Sequence, residues 1–189
     1  MNKNESKYFN TALLMDEALL QLLEKKDFAF ISVKEICQKA GVNRSTFYLH
    51  YENTHELLEE TIERLNERFV SSFPKDLIHT FKGRILTSKE FLTPYLNFVK
   101  ENKRVYKLIH RKPDLFSADK AFRKMYKDVF NPALDSFNVD EKEKKYVFEF
   151  YTKGSLAIIQ KWVEEDCIDD IDFVVNLIAK HTFANEKDH

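Results

Sequence analysis

The stretch AGVNRSTFYLHY, residues 40–51, holds the signals that decide the fold. Gly41 suits a residue in the left-handed region that ends one helix, with Val42 folding back as an apolar contact. Asn43 can then cap the start of another helix, two residues after the stop. A short helix is therefore predicted to follow Asn43 almost at once.

The side chains of this short helix divide into an inner and an outer face. At about 100° per residue, Phe47 and Tyr51 fall together and are expected to face inward, whereas Ser45 and Leu49 point away. The outward ridge is flanked by Arg44 and Tyr48 on one side and by Thr46 and His50 on the other. A compact, donor-rich face is what a recognition helix in the major groove of DNA needs, and an ordinary surface helix is the alternative interpretation.

The segments on either side complete a helix-turn-helix pattern. Ser32 and Glu35 form a capping box that opens the preceding helix, and about three residues around Gly41 join it to the short one. A first helix is predicted over residues 7–26, with an apolar stripe of Leu14, Ala18, Leu19, Leu22 and Leu23. A fourth, longer helix is predicted over residues 53–72.

Helical spacing of apolar residues continues through the rest of the chain. Further helices are predicted near 88–101, 103–110, 118–134, 140–165 and 170–184. With only three Gly and four Pro in 189 residues, an all-α fold of about nine helices is expected. The predicted domains are a helix-turn-helix DNA-binding domain over 1–53 and a ligand-binding and dimerisation domain over 54–189, with the fourth helix as the link.

Composition and charge limit the possible functions. An apolar content of 43% and a charged content of 32% describe a globular protein, and no apolar run is long enough to span a membrane. The first ten residues lack the apolar stretch of a signal peptide, and the isolated Cys37 and Cys167 suit a reduced protein, so a cytoplasmic protein is expected. Residues 1–53 carry seven basic and seven acidic side chains, so contact with nucleic acid must come from the placement of a few donors.

The sequence SVKEICQKAGVNRSTFYLHY, residues 32–51, continued by ENTHELL, resembles the DNA-binding module of TetR-family transcriptional repressors. The similarity covers residues 14 to about 60. It implies phosphate contacts from Ser32, Thr46, Tyr48 and His50, and base or groove contacts from Lys34, Asn43, Arg44, Ser45 and Leu49. Thr54 stands where that family often has a phosphate-binding lysine, so this chain is expected to bind phosphates less strongly at that point.

The carboxy-terminal region is rich in aromatic residues, which at helical spacing more often form a core than a cofactor site. The resemblance raises the alternative that some of them line an inducer pocket among the later helices. Mostly apolar walls with a few polar points would suit a small, lipophilic or aromatic effector. The pocket candidates are Tyr95, Phe98, Tyr126, Phe130 and Tyr151.

The last two predicted helices carry a further apolar set. In related repressors these helices form a four-helix dimer interface, and packing within one chain is the alternative. The candidate interface residues are Gly154, Ile158, Trp162, Phe173, Leu177 and Ile178. Gly154 in a helix interior costs about 1 kcal/mol relative to Ala, which a close helix approach would explain.

No motif in the sequence points to catalysis or to a metal. The six histidines lack metal-ligand spacing, and there is no GxSxG, phosphate-loop or dinucleotide-binding motif, so neither an enzyme nor a cofactor is expected. The expected protein is a cytoplasmic, homodimeric, ligand-responsive repressor that binds a palindromic DNA operator and no membrane. The rival is a coactivator of the same fold that no longer binds DNA. Such a protein should lose the donors Thr46, Tyr48 and His50, which are all present.

Overall fold

The computed structural model of the chain describes residues 3–73, 88–116 and 140–182, and every regular element in these ranges is helical. This confirms the predicted all-α fold. In chain order the helices are α1 (Lys3–Leu23), α2 (Val33–Ala40), α3 (Arg44–His50), α4 (Thr54–Ser71), α5 (Lys89–Glu101), α6 (Lys103–Arg111), α7 (Pro113–Phe116), α8 (Glu141–Glu164) and α9 (Ile171–Thr182), with a 3₁₀ turn at Phe28–Phe30. The helix predicted near 118–134 lies outside the described residues. None of the described helices is both long enough and apolar enough to cross a membrane.

The chain divides into two compact units, Met1–Glu67 and Arg68–His189. Residues 54–67 of α4 belong to the first unit, and the last residues of that helix belong to the second. The division of the compact units therefore falls 14 residues after the functional division predicted at residue 53. The functional division itself stays a prediction.

In the first unit, α1 is a long helix that buries one face. Ala12, Met15, Leu19 and Leu23 recur at helical spacing and are at most 3% exposed. Leu14, which was predicted to lie on the apolar stripe, is 54% exposed. The reason is geometric, since Leu14 lies about 200° around the helix from Ala12. The helix also begins four residues and ends three residues earlier than predicted.

The predicted boundary between α2 and α3 is confirmed in detail. Ser32 caps α2 and shares a reciprocal capping box with Glu35. Gly41 ends the helix at φ 69° and ψ 28°, in the left-handed region that glycine adopts without a steric penalty. The backbone N–H of Val42 donates to the carbonyl of Cys37 at 3.0 Å, so the chain turns directly into α3.

The core of the second unit is formed by α5, α8 and α9. Leu96 and Ile178 are fully buried there, and Trp162 is 3% exposed. The indole Nε1 of Trp162 donates to the carbonyl of Asp169 at 2.9 Å. This bond ties the end of α8 to the turn that precedes α9.

The predicted dimer-interface residues divide between the core and the surface of the second unit, and their role in a dimer stays a prediction. Trp162 and Ile178 point into the core of their own chain, and Ile158 packs against the same core. The remaining candidates are exposed or half-buried: Gly154, Phe173 and Leu177. Because α8 carries apolar residues on two faces, periodicity alone does not distinguish its core face from its outer face.

Candidate nucleic-acid interface

Asn43 organises the start of α3 through a single side-chain oxygen. Its Oδ1 accepts hydrogen bonds from the backbone N–H of Thr46 at 2.7 Å, from the Thr46 hydroxyl at 2.8 Å and from the Ser45 hydroxyl at 2.6 Å. The cap satisfies a backbone donor that the helix itself leaves without a partner. The same Asn43 oxygen also accepts the hydroxyl protons of Ser45 and Thr46, which are both predicted DNA contacts. A phosphate oxygen only accepts hydrogen bonds, so Thr46 can donate to one only by giving up its bond to Asn43.

Phe47 and Tyr51 hold α3 from its inner side, as the helical wheel predicted. Phe47 is fully buried, Tyr51 is 2% exposed, and their ring centroids lie 5.7 Å apart. Burial of these two aromatic rings stabilises a seven-residue helix that is too short to form alone in water. The side chains on the outer face therefore contribute little to folding.

The Tyr51 hydroxyl joins α3 to a buried polar network. Arg64 Nη2 donates to this hydroxyl at 3.0 Å, and the same guanidinium binds the Asp16 carboxylate through two hydrogen bonds of 2.6 Å. The Thr61 hydroxyl donates to Asp16 at 2.8 Å, and Glu60 accepts from Arg64 Nη1 at 2.6 Å. Burial raises the pKa of Tyr51 to about 12, so its hydroxyl stays protonated. Both oxygens of the buried carboxylate accept hydrogen bonds and a cation faces them, which are the conditions under which a buried charge is tolerated.

This network was not predicted, although the sequence carries a signal for it. Asp16 lies on the apolar face of α1, beside Met15 and three residues before Leu19, and is 7% exposed. A carboxylate at a core position requires a cation as its partner. Arg64 lies 48 residues further along the chain, so no local pattern identifies it as that partner.

The outward ridge of α3 is exposed, as predicted. Leu49 is 77% exposed and Tyr48 is 58% exposed, with Arg44 and Ser45 exposed beside them. Within the described ranges, the Arg44 guanidinium and the Tyr48 hydroxyl have no hydrogen-bond partner. Both groups are therefore available to an external ligand.

Of the two predicted contacts at the start of α2, the cap Ser32 and the helical Lys34, only one has a free side chain among the residues that the structure describes. The Ser32 hydroxyl donates to Glu35 Oε2 at 2.8 Å, so it serves the cap, and its phosphate contact stays a prediction. Glu35 also accepts from Lys26 Nζ at 2.6 Å, and this bond, aided by those from Ser32, lowers the pKa of Glu35 to about 2. Lys26 thereby pairs with the acidic side chain of α2, while Lys34 is exposed.

His50, a predicted phosphate contact, is held at the end of α3 by a stacked ring that was not predicted. The ring centroid of Tyr8, on α1, lies 3.8 Å from that of His50 at an interplanar angle of 18°. Nδ1 of His50 is buried, and among the residues that the structure describes it has no hydrogen-bond partner. Burial holds the pKa of His50 below its usual value; the Glu60 carboxylate opposes this shift and the Arg64 guanidinium adds to it. At neutral pH the imidazole is therefore uncharged, so it can offer a phosphate a hydrogen bond but no positive charge.

Two of the predicted pocket residues, Tyr95 and Phe98, belong to one aromatic cluster of the second unit. Each ring centroid lies 5.5 Å from that of Phe69. Phe73, Phe91 and Tyr106 complete the cluster. Burial raises the pKa of Tyr95 to about 12, so its hydroxyl stays neutral. Tyr126, Phe130 and the side chain of Tyr151 lie outside the described residues.

An open cleft lies beside this cluster, with a volume of about 300 Å³. Its walls are formed by Ser72, Pro94, Asn97, Phe98 and Glu101, so Phe98 is the predicted pocket residue that lines it. Among the side chains that the structure describes, no group of three or more His, Cys, Asp or Glu is placed to hold a metal ion.

The two short helices α2 and α3 are joined through a glycine in the left-handed region. The second helix is capped at its start, packed through its inner side and exposed along a row of donors. This arrangement defines a helix-turn-helix module of the kind that binds DNA. A family model described as "Bacterial regulatory proteins, tetR family" matches residues 17–61. A second model, "Transcriptional regulator C-terminal region", matches residues 87–182. The chain belongs to the TetR family of transcriptional regulators, which confirms the resemblance found in its sequence.

The individual relatives are distant. The chain is 28% identical over 154 residues to the uncharacterised HTH-type transcriptional regulator YxbF of Bacillus subtilis (strain 168), an alignment that covers 79% of this chain and 39% of that protein. The chain thus spans about two fifths of the length of this curated relative.

Solved structures share the fold over nearly the whole chain. A TetR family transcription regulator from Marinobacter aquaeolei VT8 aligns with a TM-score of 0.64 and 13% identity, covering 95% of this chain and 97% of that one. A TetR-family transcriptional regulator from Haemophilus influenzae Rd aligns with a TM-score of 0.59 and 16% identity, covering 91% and 96%. The dihydroxyacetone kinase operon activator DhaS aligns with a TM-score of 0.52 and 20% identity, covering 92% and 94%. Similarity at these identities shows the fold alone.

Proposed function

We propose that this protein is a ligand-responsive transcriptional repressor that binds a palindromic DNA operator as a homodimer. The observation that carries the proposal is the outer face of α3, where Arg44, Tyr48 and Leu49 are exposed while Phe47 and Tyr51 fix the helix from behind. Side chains arranged in this way can enter a major groove without disturbing the packing of the module. The rival, a coactivator that no longer binds DNA, would not need the exposed Arg44 and Tyr48, whose polar groups have no hydrogen-bond partner in the part of the chain that the structure describes.

The charges of the module favour binding through a few positioned donors. Lys34 and Arg44 are exposed cations on α2 and α3, and the acidic side chain of α2, Glu35, is paired with Lys26. Residues 1–53 nevertheless carry equal numbers of basic and acidic side chains. A single module is therefore expected to bind DNA weakly, and two modules on one operator supply the missing affinity.

The proposed dimer interface is the exposed face of α8. Tyr146, Phe150, Gly154 and Ala157 recur at helical spacing on this face, with Tyr146 68% and Phe150 70% exposed. Phe173 of α9, which is 52% exposed, adds further apolar area. A contiguous apolar stripe is unusual on a monomer, and a two-fold axis would cover it with the same stripe of a second copy. The two α3 helices would then meet half-sites about one DNA turn, ~34 Å, apart.

The proposed effector is a small lipophilic or aromatic molecule. The aromatic cluster of the second unit offers apolar walls, and Tyr95 offers a neutral hydroxyl. Because α4 runs from the first unit into the second, an effector that shifts its carboxy-terminal end would also act on the module that carries α3. This is the proposed route by which the effector releases DNA.

The proposed direction of regulation and the proposed location rest on the family resemblance. Repression is proposed from the resemblance to repressors, although DhaS, by its name, is an operon activator of the same fold. We propose a cytoplasmic location, where bacterial DNA is found. We also propose that the protein has no catalytic activity and needs no cofactor, since its family is one of transcriptional regulators.

Selection of bound duplexes from a random DNA pool tests this function. The 189-residue chain should enrich a two-fold symmetric sequence whose half-sites lie about one helical turn apart. A reporter gene placed behind that sequence should be expressed less when the protein is present. Enrichment of no sequence would refute DNA binding and favour the coactivator, whereas a single unsymmetrical site would refute the dimer. Increased reporter expression would identify an activator.

A further inference from the structure

Leu49 is the aliphatic side chain at the centre of the outer face of α3. It is 77% exposed, so it contributes almost nothing to the core, and it follows Ser45 by one helical turn on the same ridge. The Ser45 hydroxyl donates to Asn43 Oδ1 at 2.6 Å and is thus turned toward the start of the helix. A single exposed leucine is ordinary on a protein surface. This one is distinguished by its place on a face whose flanks carry the donors Arg44 and His50.

The major groove offers few apolar partners for such a side chain. All four bases present hydrogen-bond donors or acceptors at this edge, and thymine also presents its C5 methyl group. A leucine set against a polar edge removes water from that edge and returns no hydrogen bond, which is unfavourable. Against a thymine methyl group, the same side chain buries apolar surface on both partners, which is favourable.

We propose that Leu49 reads the methyl group of one thymine in each half-site of the operator. The inference rests on the proposed DNA-binding function and adds a base preference to it. Leu49 follows Arg44 by five residues, which is about 7.5 Å along the helix axis, and successive base pairs are about 3.4 Å apart. The thymine therefore lies within about three base pairs of the base that Arg44 contacts.

Replacement of thymine by deoxyuridine tests this inference, because the two bases differ only by the methyl group. In duplexes that carry the selected sequence, each thymine is replaced in turn, and the dissociation constant is measured by fluorescence anisotropy at fixed salt concentration. At one position in each half-site, the replacement should weaken binding of the wild type about fourfold, the factor that corresponds to about 0.8 kcal/mol for one buried methyl group. The Leu49→Ala variant should bind the thymine and deoxyuridine duplexes equally well at that position.

Leu14→Ala is the matched control, since Leu14 is also an exposed leucine of the first unit but lies on α1. This variant should keep the wild-type response to deoxyuridine. The inference is overturned if the wild type binds every deoxyuridine duplex as tightly as the thymine duplex, or if Leu49→Ala keeps the wild-type loss. Both results leave DNA binding intact. Failure of the random pool to yield any bound sequence would instead overturn the proposed function, and this inference with it.

Discussion

Arg64 and Asp16 form a two-bonded ion pair on the inner side of the recognition helix, with Nε 2.6 Å from one carboxylate oxygen and Nη2 2.6 Å from the other. The pair joins α4 to α1, and a 3.0 Å hydrogen bond from Nη2 to the Tyr51 hydroxyl extends it to the end of α3. The Arg64 and Asp16 side chains are 17% and 11% exposed, so both charges are largely removed from water. The position of the outer face of α3 thus depends on a contact made behind it.

Arg64→Met is expected to lower the free energy of unfolding by about 3 kcal/mol, because the Asp16 carboxylate is left buried without its cation. Urea denaturation followed by circular dichroism measures this loss. Lys89→Met is the control. The Lys89–Asp172 pair is comparably short, at 2.7 Å, but its side chains are 65% and 66% exposed, so a loss below about 1 kcal/mol is expected. Equal losses in the two variants would contradict a stabilising role for the buried pair.

Asn43→Ala is expected to lower the free energy of unfolding by about 1 kcal/mol, because α3 loses its amino-terminal cap. Binding to specific and to random DNA should weaken by the same factor, since the whole helix is loosened. Asn43→Ser keeps a capping oxygen and should restore most of the loss. Denaturation and anisotropy on both kinds of duplex measure these effects. Weakening confined to the selected operator would show that Asn43 reads a base.

Arg44→Ala is expected to weaken binding to the selected operator by about 1–3 kcal/mol and to relax the preference for one base in each half-site, because a guanidinium can donate to both acceptors of a guanine edge. Tyr48→Phe should weaken binding to specific and random DNA alike, since the lost phenol hydroxyl is expected to donate to a phosphate and not to a base. Arg111→Ala removes an exposed arginine from α6 and should change neither. Competition between selected and random duplexes separates these outcomes. Equal weakening of both by Arg44→Ala would make Arg44 a phosphate contact.

The contribution of His50 to DNA affinity is expected to stay constant between about pH 7 and pH 8, because burial keeps its pKa below the usual 6.5 and the imidazole is already neutral there. The ratio of the dissociation constants of His50→Gln and the wild type, measured across this range, checks the expectation. A ratio that falls as the pH rises would show that His50 acts as a cation. The unfolded chain binds this proton more tightly, so His50 lowers the free energy of unfolding only as the pH falls below about 6.5.

The Tyr8 ring provides the matched control for His50. Tyr8→Phe keeps the stacked ring and should retain wild-type affinity, whereas Tyr8→Ala removes the stack and should weaken binding to all sequences. If Tyr8→Phe binds as weakly as Tyr8→Ala, the contribution belongs to the hydroxyl and not to the stack.

Phe150→Glu is expected to convert the dimer to a monomer and to abolish tight operator binding, because it places a charge within the apolar stripe at a side chain that is 70% exposed and so outside the core. Sedimentation measures the assembly. Ile168→Glu, at an 81% exposed apolar position beyond the end of α8, should remain a dimer. Ile158 is a poorer site for this test, since it packs against the core and a charge there is expected to lower the stability of the unit as well. A 22.5 kDa wild-type monomer that binds a palindrome tightly would contradict the dimer.

The features of the fold that could be predicted depend on residues close together in the chain. The capping box of Ser32 and Glu35, the stop at Gly41 and the cap at Asn43 each act within a few residues, so both partners can be recognised in the sequence. The helical wheel separated Phe47 and its neighbours from the exposed ridge because the geometry of an α-helix is the same wherever it lies.

Contacts between distant segments could not be predicted in this way. The Arg64–Asp16 pair joins residues 48 positions apart, and the stack of Tyr8 on His50 joins α1 to the far end of α3. Periodicity alone places Trp162 on an outer surface because α8 is apolar on two faces, and only the packing of Trp162 with α5 and α9 identifies the inner face. The apolar periodicity of a segment identifies which face of a helix is apolar, but only contacts with distant segments show what packs against that face.

The separation of the buried inner side of α3 from its exposed outer face has a consequence for how such a regulator can change the DNA sequence that it binds. Substitutions at Arg44, Tyr48 and Leu49 alter what is read while leaving the cap and the two inner rings untouched, so each intermediate on a mutational path still folds. Target choice can then drift one base at a time without passing through inactive, unfolded proteins. For the protein engineer, the three outward side chains of this seven-residue helix form a set that can be rewritten on an unchanged scaffold.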